Sequence, residues 1–237
     1  MPPRPDADPP GPCELQVEVL SVVFQIRPGE SGDTPDLFVL LWREHADAPW
    51  ALPGGGVAAD ETLSQSARRI LIEETDVRTV AHLEQLAVFS APDRVPHTRT
   101  IASTYLGLVP SDAAVPLPPA AAWHRVDELG PLTADHAEIV ASGRHRLAAK
   151  LSYTNIAFAL APARFPMSEL SEIYGAALGY RVDTTNLLRV LSRRGVIAAT
   201  GTMGRTGRSG GRPPALYAFA DTQLRVTDEF ATLKPPL

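Results

Sequence analysis

The stretch Pro53-Gly54-Gly55-Gly56-Val57, followed by Glu61 and then by Arg69-Ile70-Leu71-Ile72-Glu73-Glu74, decides the reading of this chain. A strand-like run, Leu37 to Trp42, precedes it, and a helical pattern over Asp60 to Glu74 follows the glycines. Leu63, Ala67 and Leu71 recur at the spacing of one apolar helix face, and Asp60 or Thr62 can cap its start. Glycines let a backbone approach a phosphate closely, and a following helix turns N–H groups toward it. The adjacent Glu73 and Glu74 are hard oxygen ligands of the kind a divalent cation takes, although weakly with two alone.

Upstream, Leu15 to Ile26 alternates and then becomes almost continuously apolar through Val22, Val23, Phe24 and Ile26, the pattern of a strand entering a buried sheet. Arg27 to Asp36 is turn chemistry. Downstream, Glu84 to Ser90 and Thr100 to Val109 read as strands around a loop holding Arg94, Pro96, His97 and Arg99. Trp123 to Val126 reads as a short strand and Ala134 to Leu151 as a helix. These elements make residues 14–150 one α/β domain behind a Pro- and Asp-rich leader, 1–13, that reads as disordered and lacks the apolar core of a signal peptide.

After Tyr153 the pattern changes. Pro166 to Leu178 carries Leu170, Ile173, Tyr174 and Ala177 on one face and ends at Gly179. Asp183 can cap a second helix, Thr184 to Arg194, with Leu187, Val190 and Leu191 inward. Val196 to Ala199 and Leu216 to Phe219 are strand-like and flank a basic loop, Gly201 to Pro214. Two helices and a hairpin with a basic tip make residues 151–220 a winged helix-turn-helix, leaving 221–237 as a tail, a short helix or a dimer contact.

The chain has 237 residues, 44% hydrophobic and 21% charged, an ordinary globular balance. Its one cysteine, Cys13, excludes an internal disulfide framework and a cysteine-based zinc site. No apolar run reaches membrane-spanning length, so the expected setting is the cytoplasm. Residues 151–219 carry 8 arginines against 3 acidic residues, within a whole-chain charge of −5. A basic module on an acidic body suggests a polyanionic partner, the alternative being a cluster of solvated arginines.

The first domain resembles the Nudix family: a glycine, five residues, a glutamate, seven residues, then Arg-Glu-apolar-x-Glu-Glu-x-Gly-apolar. Gly55, Glu61, Arg69, Leu71, Glu73, Glu74 and Val77 match in register. The resemblance implies an α/β/α sandwich and a nucleoside-diphosphate pocket containing Gly54, Gly55, Glu73 and Glu74. Ile70 stands where the family has the first Glu of its pair, and Asp76 replaces the closing Gly. Positions 70, 73 and 74 share a helix face, so an alkyl group replaces one of three carboxylates that would hold metal and activate water. No catalytic residue is therefore assigned, loss of a general base ordinarily costing about 10²–10⁴-fold. No cofactor is required, and Mg²⁺ can accompany a bound nucleotide on Glu73 and Glu74.

Further ligand contacts are expected from Arg43 at a strand end, able to clamp a phosphate or stack on a ring, and from Arg94 and Arg99. The loop of Arg94 and Pro96 resembles an Arg-Asp-Pro-Arg segment of one Nudix subgroup, as does Asp135-His136, where His136 touches ligand or the pair caps the helix. With Tyr153-Thr154, Phe165-Pro166-Met167 and Gly211-Arg212-Pro213, residues 15–220 resemble the Nudix-related transcriptional regulator (NrtR) family. That resemblance implies a homodimeric repressor of NAD-biosynthesis or related genes, which binds a palindromic operator in double-stranded DNA and responds to ADP-ribose or a related nucleotide. Thr184, Thr185 and Asn186 would face bases or phosphates, Arg189, Arg193 and Arg194 the backbone, and Arg205, Arg208 and Arg212 would line the wing. The family commonly has an arginine just before the Asn, where Thr184-Thr185 stand here. The competing expectations are an active Nudix hydrolase with an accessory assembly domain, and a nucleotide-binding scaffold with neither activity.

Overall fold

Strand β1 (Leu15–Pro28) is paired along most of its length. A computed structural model describes residues 15–29, 34–204 and 213–228; the leader 1–13, the wing-tip arginines Arg205, Arg208 and Arg212, and residues 229–237 lie outside them. One edge of β1 runs parallel to β5 (Arg99–Val109), from Leu15 opposite Arg99 to Gln25 opposite Val109. The other edge is shared by β3 (Gly54–Gly56), opposite Glu18 to Leu20, and by β2 (Pro35–Trp42), opposite Phe24 to Pro28. With β4 (His82–Phe89) outside β5 and β6 (Ala121–Arg125) outside β2, the sheet is mixed and six-stranded.

Both faces of this sheet are covered, which is why β1 reads as nearly continuous apolar sequence. Leu20, Val22, Phe24 and Ile26 meet helix α2 (His136–Tyr153) through Ile139, Val140, Leu147 and Leu151. Val19 and Val23, on the opposite face, meet helix α1 (Leu63–Thr75) through Ala67, Ile70 and Leu71. This is the expected Nudix-like sandwich.

Thr62, not Asp60, caps α1: its hydroxyl accepts from Gln65 N–H, and its own N–H donates to the Gln65 side chain at 2.8 Å. Asp76 ends the helix at φ +54°, the left-handed region that the family's glycine enters without strain. Its carboxylate pairs with Arg78 at 2.9 Å. The sequence placed the start of α2 at Ala134, but Ala134 lies at φ +49° and the helix begins at His136. β6 stops at Arg125, Val126 opening a 3-10 turn.

The second unit is two helices, α3 (Met167–Leu178) and α4 (Thr184–Arg193), and a small sheet. Gly179 ends α3 at φ +78° and Asp183 caps α4, as the sequence indicated. The wing strands β8 (Ile197–Met203) and β9 (Ala215–Phe219) are joined by a strand that sequence reading missed, β7 (Phe165–Pro166), paired to β9. Ile156, Leu160, Phe165, Leu170 and Ile173 belong to the same buried cluster as Phe24 and Ile139. The two units are thus packed on each other. Residues 221–228 form no helix; Val226 bridges back to Thr154 beside the end of α2. Among the described residues no helix is long and apolar enough to cross a membrane.

Gly143 lets α2 lie close on the sheet: an added Cβ would stand 3.0 Å from Val22 Cγ1 and 3.3 Å from Phe24 Cε2. Gly143→Val is expected to lower unfolding free energy by about 1–3 kcal/mol through overpacking. Urea unfolding measures it, and an unchanged midpoint would mean that α2 can ride outward at no cost.

Candidate functional site

The glycines are a strand, not the loop their composition suggests. Gly54 pairs with Leu20, where a Cβ would lie 2.2 Å from Leu20 Cδ2 and 2.7 Å from the Val19 carbonyl, so no other residue fits. Gly55 and Gly56 have space: a Cβ on Gly55 would meet Ile70 Cδ1 at 3.6 Å, and one on Gly56 would meet nothing within 4 Å. Two fastenings hold the strand's approach. The Ser21 N–H donates to the Pro53 carbonyl at 2.9 Å, and the Leu52 N–H donates to His136 Nδ1 at 2.9 Å.

His136 is therefore an acceptor at Nδ1. Burial, with Arg94 nearby, lowers its pKa to about 4, so the ring is neutral with its proton on Nε2. Asp135 forms no side-chain cap on α2. Its carboxylate instead takes Arg94 in a two-pronged pair (2.9 and 2.7 Å), while Arg94 Nη1 donates to Glu18 at 2.5 Å. Glu18 faces Gly56 in the ladder, so this triad ties the glycine strand to α2. The Arg94 side chain is 1% exposed. Burial alone lowers its pKa, but the bonds to Asp135 and Glu18 more than offset that and raise it.

Arg69 is the hub of the matched motif. Its Nε donates to both Glu61 oxygens (2.9 and 3.0 Å), one Nη donates to Glu73 at 3.0 Å, and the other reaches the Gly56 carbonyl at 3.4 Å. Glu61 also accepts from the Ser66 hydroxyl at 2.7 Å. Hydrogen bonding to Arg69 holds the Glu61 carboxyl below its usual range and Arg69 above its own. Glu74 accepts from the Gly54 N–H at 3.0 Å, and burial pushes its pKa to about 7. Ile70, 4% exposed, packs with Val19, Ala67 and Tyr105.

These side chains fit a tightly held divalent ion poorly. Glu73 is already paired to Arg69, Glu74 accepts from the Gly54 N–H, and the third position is alkyl. Among the described residues no group of three or more His, Cys, Asp or Glu is placed to share a metal. Arg69, Glu61, Glu73 and Glu74 form one charged cluster against the glycine strand.

The other expected contacts are dispersed. Arg43 stacks over the Trp50 ring at 4.5 Å and donates to the Ala46 carbonyl at 2.7 Å. Trp50 meets His124 edge-on at 4.5 Å, and burial, then Arg43, lowers the His124 pKa. Arg99 braces its loop by donating to the Ser90 and Ala91 carbonyls at 3.0 and 3.2 Å. Sequence reading missed Glu18, because it joins the site through Gly56 and Arg94, both far along the chain.

On α4, Asp183 accepts from the Asn186 N–H at 2.7 Å. Thr184 shares a 2.8 Å hydrogen bond with Ser171 of α3, which turns it inward. Thr185, Asn186, Arg189 and Arg193 are exposed, and Arg189 donates to the Asn186 side-chain oxygen at 2.7 Å. Arg194 departs from the expectation of a backbone contact: it donates to the Ser152 carbonyl at 3.0 Å and pairs with Asp228.

A two-faced sandwich with a glycine strand held against the motif helix, carrying a winged helix with an exposed second helix, defines a two-domain protein. Residues 19–142 match the NUDIX domain and residues 157–219 the NrtR DNA-binding winged helix domain; the chain belongs to the NUDIX family and carries that second domain. It is 29% identical to the "ADPR responsive transcriptional repressor NtrR" of Acinetobacter baylyi, over 72% of this chain and 70% of that protein. NrtR of Shewanella oneidensis, solved in complex with a 27mer DNA, superposes with a TM-score of 0.70 at 25% identity, over 86% of this chain and 93% of the other. A MutT/nudix family protein from Enterococcus faecalis shares the fold at a TM-score of 0.65 and 21% identity, over 88% and 89% of the two chains.

A carboxyl whose folded pKa lies above its unfolded one stabilises the fold fully below the unfolded value, and that contribution is lost as pH rises through the folded value. For Glu74 the window runs from 4.5 to about 7. Glu74→Gln keeps an acceptor for Gly54 and removes the titration. In thermal unfolding, the variant's stability relative to the parent is expected to rise across that window; a constant difference would mean that Glu74 titrates normally.

Proposed function

We propose that this protein is a transcriptional repressor that binds double-stranded operator DNA through α4 and the wing, and senses ADP-ribose or a closely related nucleotide in its Nudix pocket. The observation that carries this reading is a Nudix motif whose catalytic position, Ile70, is core, packed in one body with a winged helix whose α4 presents Thr185, Asn186, Arg189 and Arg193 outward. The Acinetobacter relative's name supports the repressor role and the ligand. Glu73, Glu74 and Arg69 keep the pocket polar, and the missing third carboxylate lets it hold a diphosphate without cleaving it. Mg²⁺ can accompany the nucleotide, but no step depends on it. The setting is the cytoplasm, the regulated genes those of NAD metabolism, and a homodimer reads a palindromic operator with one α4 in each half-site.

Asn186 can pair with adenine through its amide, and Thr185 can meet a thymine methyl. Arg193 and Arg189 reach phosphates, which position without specifying. Thr184 and Arg194 do neither in this reading, since their polar groups are engaged inside the protein. Of the ligand-contact candidates, Gly54, Gly55, Glu73 and Glu74 would line the diphosphate site; Arg94 and His136 fasten the glycine strand to α2, and Arg43 and Arg99 are bonded within their own loops.

A mobility shift on the promoter next to the gene, at fixed salt, with and without ADP-ribose, tests the whole reading. A sequence preference that changes with ligand is expected, and binding no better than to a scrambled duplex would sink it. ADP-ribose incubated with Mg²⁺ and the protein should remain intact. Turnover in the ordinary enzyme range of about 1–10³ s⁻¹ would favour the hydrolase instead. Arg193→Ala should weaken binding to all sequences alike and reduce the salt slope by about 1.

A further inference from the structure

Both ends of α2 are bonded to something functional. Its first turn holds the pocket: His136 fixes Leu52, two residues before Gly54, and Asp135 fixes Arg94 and, through it, Glu18 opposite Gly56. Its last turn, roughly 24 Å from His136 to Ser152 at 1.5 Å per residue, holds the end of α4. There the Ser152 carbonyl, one of the acceptors a helix terminus leaves unpaired, accepts from Arg194, the residue that closes α4. The other arm of Arg194 pairs with Asp228.

The segment carrying Asp228 is itself fastened to this joint. Thr227 N–H and Asp228 N–H donate to the Tyr153 carbonyl at 2.8 and 3.2 Å. Asn155, 1% exposed, donates to the Asp221 and Gln223 carbonyls at 3.2 and 2.8 Å and accepts from the Arg225 N–H at 2.8 Å. Arg225 in turn donates to the Gly195 carbonyl at 3.0 Å, just past α4. A surface arginine beside exposed Arg193 has thus been drawn into a joint between α4, the end of α2 and residues 221–228.

We propose that Arg194 is a positioning residue, the clasp through which α2 sets the tilt of α4, and that α2 carries the state of the Leu52–Gly56 pocket wall to the DNA-reading face. This rests on the ligand-responsive repressor reading above. A ligand alters DNA affinity only if it favours one of two arrangements of the reading helices. A helix bonded at one end to the pocket and at the other to α4 moves both together.

The test uses the full chain, the promoter duplex and ADP-ribose as probe. The ratio of duplex Kd with and without ADP-ribose, and the salt slope without it, are measured for the parent, Arg194→Gln, Arg194→Lys and Arg193→Ala, with calorimetry of ADP-ribose binding. The parent ratio should differ from 1 by about 5–150-fold, the usual span of allosteric coupling. R194Q should bind ADP-ribose as the parent does and keep the parent's salt slope, while its ratio collapses to about 1 and R194K recovers part of it. R193A should show the reverse, a slope smaller by about 1 and an unchanged ratio. If R194Q keeps the parent ratio, or loses about 1 in slope as a phosphate contact would, the clasp is overturned and the repressor reading stands. A parent protein indifferent to ADP-ribose overturns that reading, and the clasp with it. Should R194Q fail to fold, Asp228→Asn opens the same joint from the other side and is read by the same ratio.

Discussion

The approach of Gly54 to β1 is the constraint on which the rest depends. With the Cβ position of Gly54 already filled by Leu20 and the Val19 carbonyl, β3 can pair against β1 only with glycine at position 54. That pairing sets Gly55 over Ile70 of α1, brings the Gly56 carbonyl to Arg69 and aims the Gly54 N–H at Glu74. The glycine strand is an added strand of the central sheet, and its precision comes from the sheet. A pocket built on a free loop would first have to be ordered by its ligand, at a cost in conformational entropy.

The charged groups around that edge fall into two kinds. The Arg69 pairs with Glu61 and Glu73 are partly exposed, and solvent screening leaves such pairs little net stabilisation. Their role is geometric, holding α1 against the glycines. The Glu18–Arg94–Asp135 triad is enclosed, and enclosure removes much of what the Coulomb attraction gains. Its value lies in joining β1, the loop after β4 and the start of α2 at one point. Between these clusters Ile70 sits in the core. A charged carboxylate there would lose its hydration among Val19, Ala67 and Tyr105.

Much of the fold was legible in the sequence because its signals are local. The motif register from Gly55 to Val77, the capping by Asp183, the stop at Gly179 and the two-sided apolarity of β1 are all read from neighbours in the chain. Three features were not. β7 is two residues long and exists only because β9 lies beside it. Ala134 gave no sign that it would stand at positive φ and delay α2. Asp76 looked like a lost glycine, yet it keeps the glycine's conformation.

The candidate site divides in the same way. The sequence by itself determined the class of both modules, the residues of the motif, and the replacement of a carboxylate by Ile70, since composition and spacing are properties of the chain. The tertiary structure alone decided which charges face outward. Arg193 and Arg194 are neighbours of one chemistry, and about 100° of helix rotation sends one to solvent and the other to Ser152 and Asp228. Arg94 and His136, read as ligand contacts, become the fastenings of the pocket to α2 because Glu18, Asp135 and Leu52 come to meet them. Hydrogen bonds between residues dozens of positions apart leave no periodicity to read; they exist only once the sheet has brought their partners together.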